Sequence, residues 1–150
     1  MAERTARDIM TTDVKLVKQD AKLAEVAEYL IKNGIGGAPV VNADGALVGI
    51  VSETDLLDEK KRDAVIPRLG LFGLWVVPDE SLKAAYKEGF YVTARDLMTE
   101  RVVTAAEDTP VDELARMMLS KKINRIPIVT DGRIVGIVTR QDLLKGMLKD

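Results

Sequence analysis

Residues 49–57 read GIVSETDLL and residues 136–144 read GIVTRQDLL, so this chain contains almost the same nonapeptide twice. Each nonapeptide follows an Asp-Gly pair, which accepts the positive φ angles of a tight hairpin turn. The similarity extends outward from the nonapeptides, so that residues 6–57 align with residues 94–144. The chain is therefore a tandem repeat, and each copy can be compared with the other.

The composition excludes several classes of functional site. The chain has 150 residues, 47% of them hydrophobic, and neither Cys nor His. It therefore lacks disulfides, thiolate and imidazole metal ligands, and Ser-His or Cys-His catalytic pairs. No acidic cluster of the magnesium type accompanies a phosphate loop, and GxxxxGK does not occur. We expect no metal site and no catalytic residues, although a carboxylate-based phosphohydrolase is a rival hypothesis.

The charge and hydropathy patterns predict a globular protein of the cytoplasm. The formal net charge is −2, and the compact basic run at residues 60–62 is flanked by acidic residues, which predicts a solvated helix face. The charged N-terminus lacks the apolar core of a signal peptide. The longest apolar run, residues 69–78, has about half the length of a membrane-spanning helix. We expect neither nucleic acid nor a membrane as partner.

Each copy has the hydrophobic periodicity of an amphipathic helix followed by a hairpin. A short strand near residues 14–17 or 102–105 precedes each helix, and a last helix begins inside SETDLL or TRQDLL. Asp20 is the predicted N-cap of the first helix, and Thr109 and Pro110 are the predicted N-cap and first-turn proline of the second. The periodic apolar residues are Leu23, Val26, Ala27, Leu30 and Ile31 in the first copy and Val111, Leu114, Ala115, Met118 and Leu119 in the second.

The predicted fold class is α/β (α+β), with the order β-α-β-β-α in each copy. A copy of about 50 residues buries little apolar surface on its own. We therefore expect the two copies to pack face to face about a pseudo-twofold axis as one module.

Four separated motifs in each copy resemble those of the cystathionine-β-synthase (CBS) domain family. They are DIMT and DLMT, APVV and IPIV, the hairpin pattern DGxxVGIV, and S/TxxDLL. The resemblance implies a stand-alone CBS pair, or Bateman module. Its CBS repeat 1 would span residues 1–57, an aromatic-containing spacer or helical connection residues 58–92, and CBS repeat 2 residues 93–150.

The resemblance implies a regulatory module rather than an enzyme. CBS pairs commonly bind AMP, ADP, ATP or S-adenosylmethionine in clefts between the two repeats, and they often form disc-shaped homodimers. The adenosyl ligand is a regulatory ligand, as in energy sensing, and would change the affinity for a separate, unidentified protein. A structural dimerisation or protein-interaction module with non-functional clefts is the alternative.

The repeated nonapeptide has two interpretations that are compatible with each other. Ser52 with Asp55, and Thr139 with Asp142, have the spacing of a capping box at the start of a helix. The same junction offers amides to a phosphate and a carboxylate to a ribose diol. The resemblance assigns each Asp to ribose hydroxyls and each Ser or Thr to ribose or phosphate.

The resemblance also assigns residues that would hold the base. Core packing is the alternative role of Ile126. Gly49 and Gly136, which open the nonapeptides, would allow close backbone approach or serve packing. The base-binding candidates are Thr104, Ile126 and Pro127 in the second repeat and Leu16, Ala38 and Pro39 in the first.

The two copies differ in charge around the nonapeptides. Arg125 and Arg140 of the second repeat align with Gly37 and Glu53 of the first. An arginine can bind a phosphate through two hydrogen bonds, whereas a glutamate repels it. The second repeat is therefore the predicted phosphate site, and surface solvation is the alternative role of either arginine.

Five of the six aromatic residues lie in the spacer, close to an apolar stretch with two glycines. Such a segment could cover the ligand cleft, make a dimer contact, or pack onto its own domain. These aromatic residues are Phe72, Trp75, Tyr86, Phe90 and Tyr91.

Overall fold

A computed structural model describes residues 3–63 and 92–148, which group into two compact units. Unit 1 comprises residues 3–14, 45–47 and 101–148. Unit 2 comprises residues 15–44, 48–63 and 92–100. The five aromatic residues of the predicted spacer lie outside the described residues.

The helices and strands follow the predicted order in the first copy and, apart from the first strand, in the second, with three additional short helices. The first copy contains α1 (Ala6–Ile9), β1 (Val17–Lys18), α2 (Leu23–Asn33), β2 (Gly37–Val41), β3 (Leu47–Ser52), α3 (Glu53–Leu57) and α4 (Glu59–Asp63). The second contains α5 (Ala94–Leu97), α6 (Val111–Lys121), β4 (Arg125–Thr130), β5 (Arg133–Thr139) and α7 (Arg140–Met147). The α+β fold class is confirmed.

Unit 2 contains a three-stranded sheet in the order β1-β2-β3. Strand β1 pairs in parallel with β2, so that Val17 lies opposite Val40. Every residue of β2 is buried, as expected of a strand covered on both faces. Helix α2 ends at Asn33, and its C-cap is Gly34. The φ of Gly34 is 61°, which lies in the left-handed region that favours glycine.

Unit 1 contains the antiparallel hairpin β4-β5, which confirms the Asp-Gly turn of the second copy. Thr130 pairs with Arg133, so the loop is only Asp131-Gly132, with φ angles of 52° and 78°. Positive φ at both central residues gives a two-residue turn a backbone twist that matches the twist of the flanking strands. The strand predicted at residues 102–105 is reduced to one parallel bridge, between Ala105 and Ile128.

Both predicted caps of the long helices are wrong by one or more residues. Pro110 is the N-cap of α6, because its ψ of 145° is extended, and the Thr109 hydroxyl instead accepts a hydrogen bond from the Ala106 amide at 3.1 Å. Lys22 rather than Asp20 is the N-cap of α2. Its amide donates to the Glu25 carboxylate at 3.4 Å, so the capping acid lies inside the helix.

Helices α1 and α5 were not predicted from the sequence, although each begins with the same tetrapeptide, TARD. The Thr5 amide donates to Asp8 Oδ2 at 2.9 Å, and the Thr93 amide donates to Asp96 Oδ2 at the same distance. A Thr followed three residues later by an acid is the capping-box pattern. This repeated tetrapeptide was the signal that could have predicted both helices.

Each hydrophobic core contains residues of both repeats. Ala6 of α1 is buried in the core of unit 1 with Leu114, Ile126 and other residues of the second copy. Ala94 and Leu97 of α5 are buried in the core of unit 2 among residues of the first copy. Neither copy therefore completes a core from its own residues alone.

The buried faces of α2 and α6 are narrower than the hydrophobic periodicity of the sequence predicts. Leu23, Val26 and Leu30 are buried on α2, and Leu114 and Met118 on α6. Ile31 and Leu119, which occupy equivalent helix positions, are each 80% exposed.

None of the helices within residues 3–63 and 92–148 has the length and the apolar character that a membrane span requires.

Candidate functional site

The TRQD motif (residues 139–142) lies in unit 1, where β5 passes directly into α7. The Thr139 amide donates to Asp142 Oδ2 at 2.8 Å, and the Asp142 amide donates to the Thr139 hydroxyl at 3.2 Å. The Thr139 hydroxyl also lies 3.0 Å from Asp142 Oδ2, to which it can donate. The capping-box interpretation of the second nonapeptide is therefore confirmed, and it occupies mainly one carboxylate oxygen.

The second carboxylate oxygen of Asp142 faces a hydroxyl that the sequence did not point to. Thr11, which ends the DIMT motif, donates from Oγ1 to Asp142 Oδ1 at 3.2 Å. Asp142 itself is half-buried. A neutral hydroxyl at this distance makes an ordinary hydrogen bond that another hydroxyl can replace.

Asp142 and Thr11 share a cavity of about 530 Å³ in unit 1. Two cationic side chains lie in its wall, and the guanidinium of one of them, Arg4, donates to the Gly146 carbonyl oxygen at the end of α7. The cavity thus combines carboxylates with cations within one unit. The residues that line it are Arg4, Asp8, Ile9, Met10, Thr11, Asp142, Lys145 and Gly146.

Both predicted arginines lie close to the TRQD motif. Arg125 is paired with Thr139 across the hairpin, which places both side chains on the same face of the sheet. Arg140 is exposed, and its guanidinium donates to the Asn124 side-chain oxygen at 3.1 Å. The hairpin register therefore brings Arg125, Thr139 and Arg140 to one end of unit 1.

The base-binding candidates of the second repeat differ in exposure. Ile126 is completely buried in the core of unit 1, which supports the core-packing alternative for its side chain. Pro127 is also buried, and its carbonyl oxygen accepts from the Ala105 amide at 3.1 Å. Thr104 is exposed and immediately precedes Ala105, so it lies beside β4. Of the three side chains, only that of Thr104 is open to solvent.

The SETD motif (residues 52–55) repeats the capping box in unit 2. The Ser52 amide donates to Asp55 Oδ2 at 2.8 Å, and the Ser52 hydroxyl does so at 3.1 Å. Asp55 is 8% exposed and is the one charged residue that is buried in the described ranges. This carboxylate is thus less accessible than that of Asp142.

A lysine occupies the other oxygen of Asp55. Lys61 Nζ of α4 lies 2.5 Å from Asp55 Oδ1 and 3.2 Å from the Leu97 carbonyl oxygen. The Lys61 side chain is 34% exposed. The prediction that the basic run at residues 60–62 is simply a solvated helix face is therefore wrong for Lys61, because the helix turns this side chain toward a buried acid.

The base-binding candidates of the first repeat do not share a cavity with the SETD motif. Ala38 and Pro39 are buried within β2. Leu16 is partly exposed and lines a separate cavity of about 430 Å³, which is bounded by β1 and α2 and contains neither Ser52 nor Asp55. The cavity beside the TRQD motif is likewise lined by none of the base-binding candidates of the second repeat, and Asp142 is the one predicted site residue among those that line it.

A search of the described residues finds no group of three or more acidic, His or Cys side chains that could hold a metal ion. The site therefore offers hydroxyls, carboxylates, guanidinium groups and helix-end amides as its chemical groups. Such groups recognise polar and anionic small molecules through hydrogen bonds.

Comparisons with known proteins match both copies of the repeat. A family model described as the CBS domain matches residues 6–62 and 94–149. An uncharacterized protein, MJ1426, of Methanocaldococcus jannaschii is 34% identical, over 95% of this chain and 90% of its own length. Other relatives are longer, and this chain spans about two thirds of one of them and half of another.

Two of the similar solved structures contain adenosyl compounds. CBSX2 of Arabidopsis thaliana, in complex with AMP, is 27% identical with a TM-score of 0.74, and the match covers 97% of this chain and 96% of that one. The CBS domain pair of protein MJ0100, in complex with 5′-methylthioadenosine and S-adenosyl-L-methionine, is 29% identical with a TM-score of 0.71. That match covers 99% of this chain and all of the other.

Proposed function

Because this chain belongs to the CBS domain family, we propose that it is a non-catalytic regulatory module that binds an adenosyl ligand at the TRQD motif. The ligand class comprises AMP, ADP, ATP and S-adenosylmethionine. Relatives that resemble the chain over nearly its whole length carry AMP, 5′-methylthioadenosine or S-adenosylmethionine. The regulated protein would be a separate, unidentified partner in the cytoplasm.

The geometry of Asp142 carries this proposal. One carboxylate oxygen accepts the hydrogen bonds of the helix cap, and among the described residues the other accepts from the Thr11 hydroxyl, at the wall of a cavity. A ribose diol presents two hydroxyl donors, so it can take the place of Thr11 without leaving the carboxylate unsatisfied. The cap would survive ligand binding, because it uses the opposite oxygen.

The phosphate or another anionic tail would bind at the start of α7. This helix has eight residues, and its first turn presents backbone amides at the positive end of the helix dipole. Arg125 and Arg140 flank that end. Arg140 would exchange a neutral partner, the Asn124 amide, for an anionic one, which adds the attraction between opposite charges to its hydrogen bonds.

The base would lie near Thr104 and Pro127 of the second repeat. The exposed Thr104 hydroxyl can bond to a ring nitrogen or an exocyclic amine. Ile126 would contribute through its backbone, since its side chain is in the core. In the first repeat, the corresponding assignments of Leu16, Ala38, Pro39, Ser52 and Asp55 remain predictions.

A thermal-shift experiment tests the proposal. AMP, ADP, ATP or S-adenosylmethionine at 100 times its dissociation constant should stabilise the folded chain by about 2.7 kcal/mol, raising the melting temperature by several degrees. Asp142→Asn should abolish that shift, because an amide nitrogen cannot accept from a ribose hydroxyl. Asp112→Asn, an exposed change on α6, is the control and should leave the shift unchanged. A full ligand shift in Asp142→Asn would contradict the site assignment.

We also propose that the chain forms homodimers through exposed apolar helix surfaces. Ile31 and Leu57 of unit 2 are 80% and 76% exposed, and with Leu56 they line an apolar cavity of about 450 Å³. Leu119 and Leu144 of unit 1 are exposed at equivalent positions. The same observation favours the second candidate function, a structural dimerisation module. The two functions are distinguished by the ligand shift.

A further inference from the structure

We infer that Lys61 acts as an internal occupant of the SETD motif, so that each chain takes one adenosyl ligand, at the second repeat. This inference rests on the proposed function. It goes further by stating which of the two repeated motifs is open to a ligand and which residue blocks the other motif. The observation behind it is the contact between Lys61 Nζ and Asp55 Oδ1 at 2.5 Å.

The two motifs share the hydrogen bond from the N-cap amide to the aspartate, and they differ in what reaches the remaining carboxylate oxygen. In both, the N-cap amide lies 2.8 Å from Oδ2 of the aspartate. At Oδ1, Asp142 accepts from a neutral hydroxyl at 3.2 Å, whereas Asp55 accepts from an ammonium group at 2.5 Å. The difference therefore lies at the atom that a ribose hydroxyl would need.

Displacing Lys61 costs more than displacing Thr11. Both donors contact a carboxylate, but only Lys61 brings a positive charge to it, which adds Coulomb attraction to the hydrogen bond. Asp55 is nearly fully buried, so loss of its ammonium partner would leave a poorly solvated charge. Lys61 would also lose its bond to the Leu97 carbonyl oxygen. Neutral ribose hydroxyls supply no charge in return.

The residue that aligns with Lys61 in the second repeat cannot make the same contact. Asp55 aligns with Asp142 at an offset of 87, and the same offset places Leu148 opposite Lys61. Leu148 is exposed and carries no donor in its side chain. The aligned position of the second repeat therefore does not supply the ammonium donor that Lys61 supplies in the first.

Lys60 provides a matched control on the same short helix. It carries the same charge, is exposed, and its described hydrogen bond is from its backbone amide to Asp58. Lys60→Met removes one positive charge without touching Asp55. Lys61→Met removes the same charge together with the internal ammonium donor, while keeping the length of an unbranched side chain.

Titration calorimetry of the full chain with AMP, and in parallel with S-adenosylmethionine, tests the inference. The wild type and Lys60→Met should bind one ligand per chain. Asp142→Asn should lose binding. Lys61→Met should bind two ligands per chain. The double variant Lys61→Met, Asp142→Asn should bind one ligand per chain, whereas Asp142→Asn by itself binds none. Lys61→Gln replaces Lys61→Met if thermal unfolding shows that the latter does not fold.

The outcomes separate this inference from the proposed function. Two ligands per wild-type chain, or one ligand per Lys61→Met chain, would overturn the role of Lys61 while leaving an adenosyl-binding module intact. If Lys61→Met binds ligand and the wild type does not, the role of Lys61 is supported and the assignment of the ligand site to the second repeat is overturned. Absence of binding in both the wild type and Lys61→Met would overturn both statements.

Discussion

Single residues explain why the two copies of the nonapeptide have different environments. The TRQD and SETD motifs make the same helix cap, yet Thr11 approaches one aspartate and Lys61 the other. Neither neighbour belongs to the nonapeptide. The repeated sequence therefore predicts the junction between strand and helix. Residues elsewhere in each unit determine which group contacts the aspartate of that junction.

Gly136 shows the same dependence on a distant residue. A Cβ at position 136 would lie 2.8 Å from Met10 Cγ and 3.2 Å from Met10 Cβ, and one at Gly49 would meet Met98 in the same way. This contact supports the packing role of the two glycines, and the Met side chain that packs against each of them belongs to the DIMT or DLMT motif. The approaching group is a side chain of the other repeat.

Gly136→Ala should therefore destabilise the chain by about 1 to 3 kcal/mol, because Met10 must move within a packed core. Denaturant unfolding measures the loss. In the Met10→Ala background the same substitution should cost much less, since the two nearest atoms, Sδ and Cγ, are removed and the contact with Cβ at 3.2 Å alone remains. Equal costs in both backgrounds would show that Met10 is not the obstacle.

At the scale of elements, the sequence predicts regular helices and hairpins better than short, exchanged segments. Asp-Gly and β-branched runs predicted β4-β5 because both signals are local. Helices α1 and α5 have four residues each, too few for a helical period to be visible. The contact of Lys61 with Asp55 could not be predicted, because it depends on how α4 is oriented after α3.

The helical period also leaves open which partner a helix face meets. Ile31 and Leu119 fit the pattern of α2 and α6, yet both are exposed. Periodicity identifies an apolar stripe, but a stripe can be wider than the core of its own unit. The exposed edge is then available to a second molecule.

The combined variant Ile31→Glu, Leu119→Glu should convert a dimer into a monomer, because each substitution would bury a charge in an apolar interface. Light scattering coupled to size-exclusion chromatography measures the mass. Lys32→Glu, an exposed change on α2 next to Ile31, is the control and should leave the dimer intact. A wild-type chain that is monomeric at high concentration would contradict the dimer proposal.

At the scale of the whole molecule, the two compact units do not coincide with the two sequence repeats. The segment before residue 14 belongs to the unit of the second repeat, and residues 92–100 belong to the unit of the first. Reciprocal hydrogen bonds between the backbones of Thr11 and Ile137, at 2.9 Å in each direction, tie the first of these segments in place. Sequence alignment alone cannot reveal such an exchange, because both copies carry the segment at the same position.

Deleting residues 1–11 should therefore destabilise unit 1 selectively, although the deleted residues belong to the first repeat. The deletion removes Ala6, Ile9 and Met10 from the core of unit 1, at a cost of more than about 3 kcal/mol. Hydrogen exchange should accelerate in β4 and β5 and stay slow in β2. A chain that begins at Arg4 is the control. Faster exchange in β2 than in β4 would contradict the exchange of segments.

The placement of α1 and α5 in each other's cores also determines what half of this chain would need in order to fold. A lone copy would lack the short helix that the other copy supplies to its core, and a second molecule of the same kind could supply it. We therefore expect an isolated half to associate with another half rather than to fold alone.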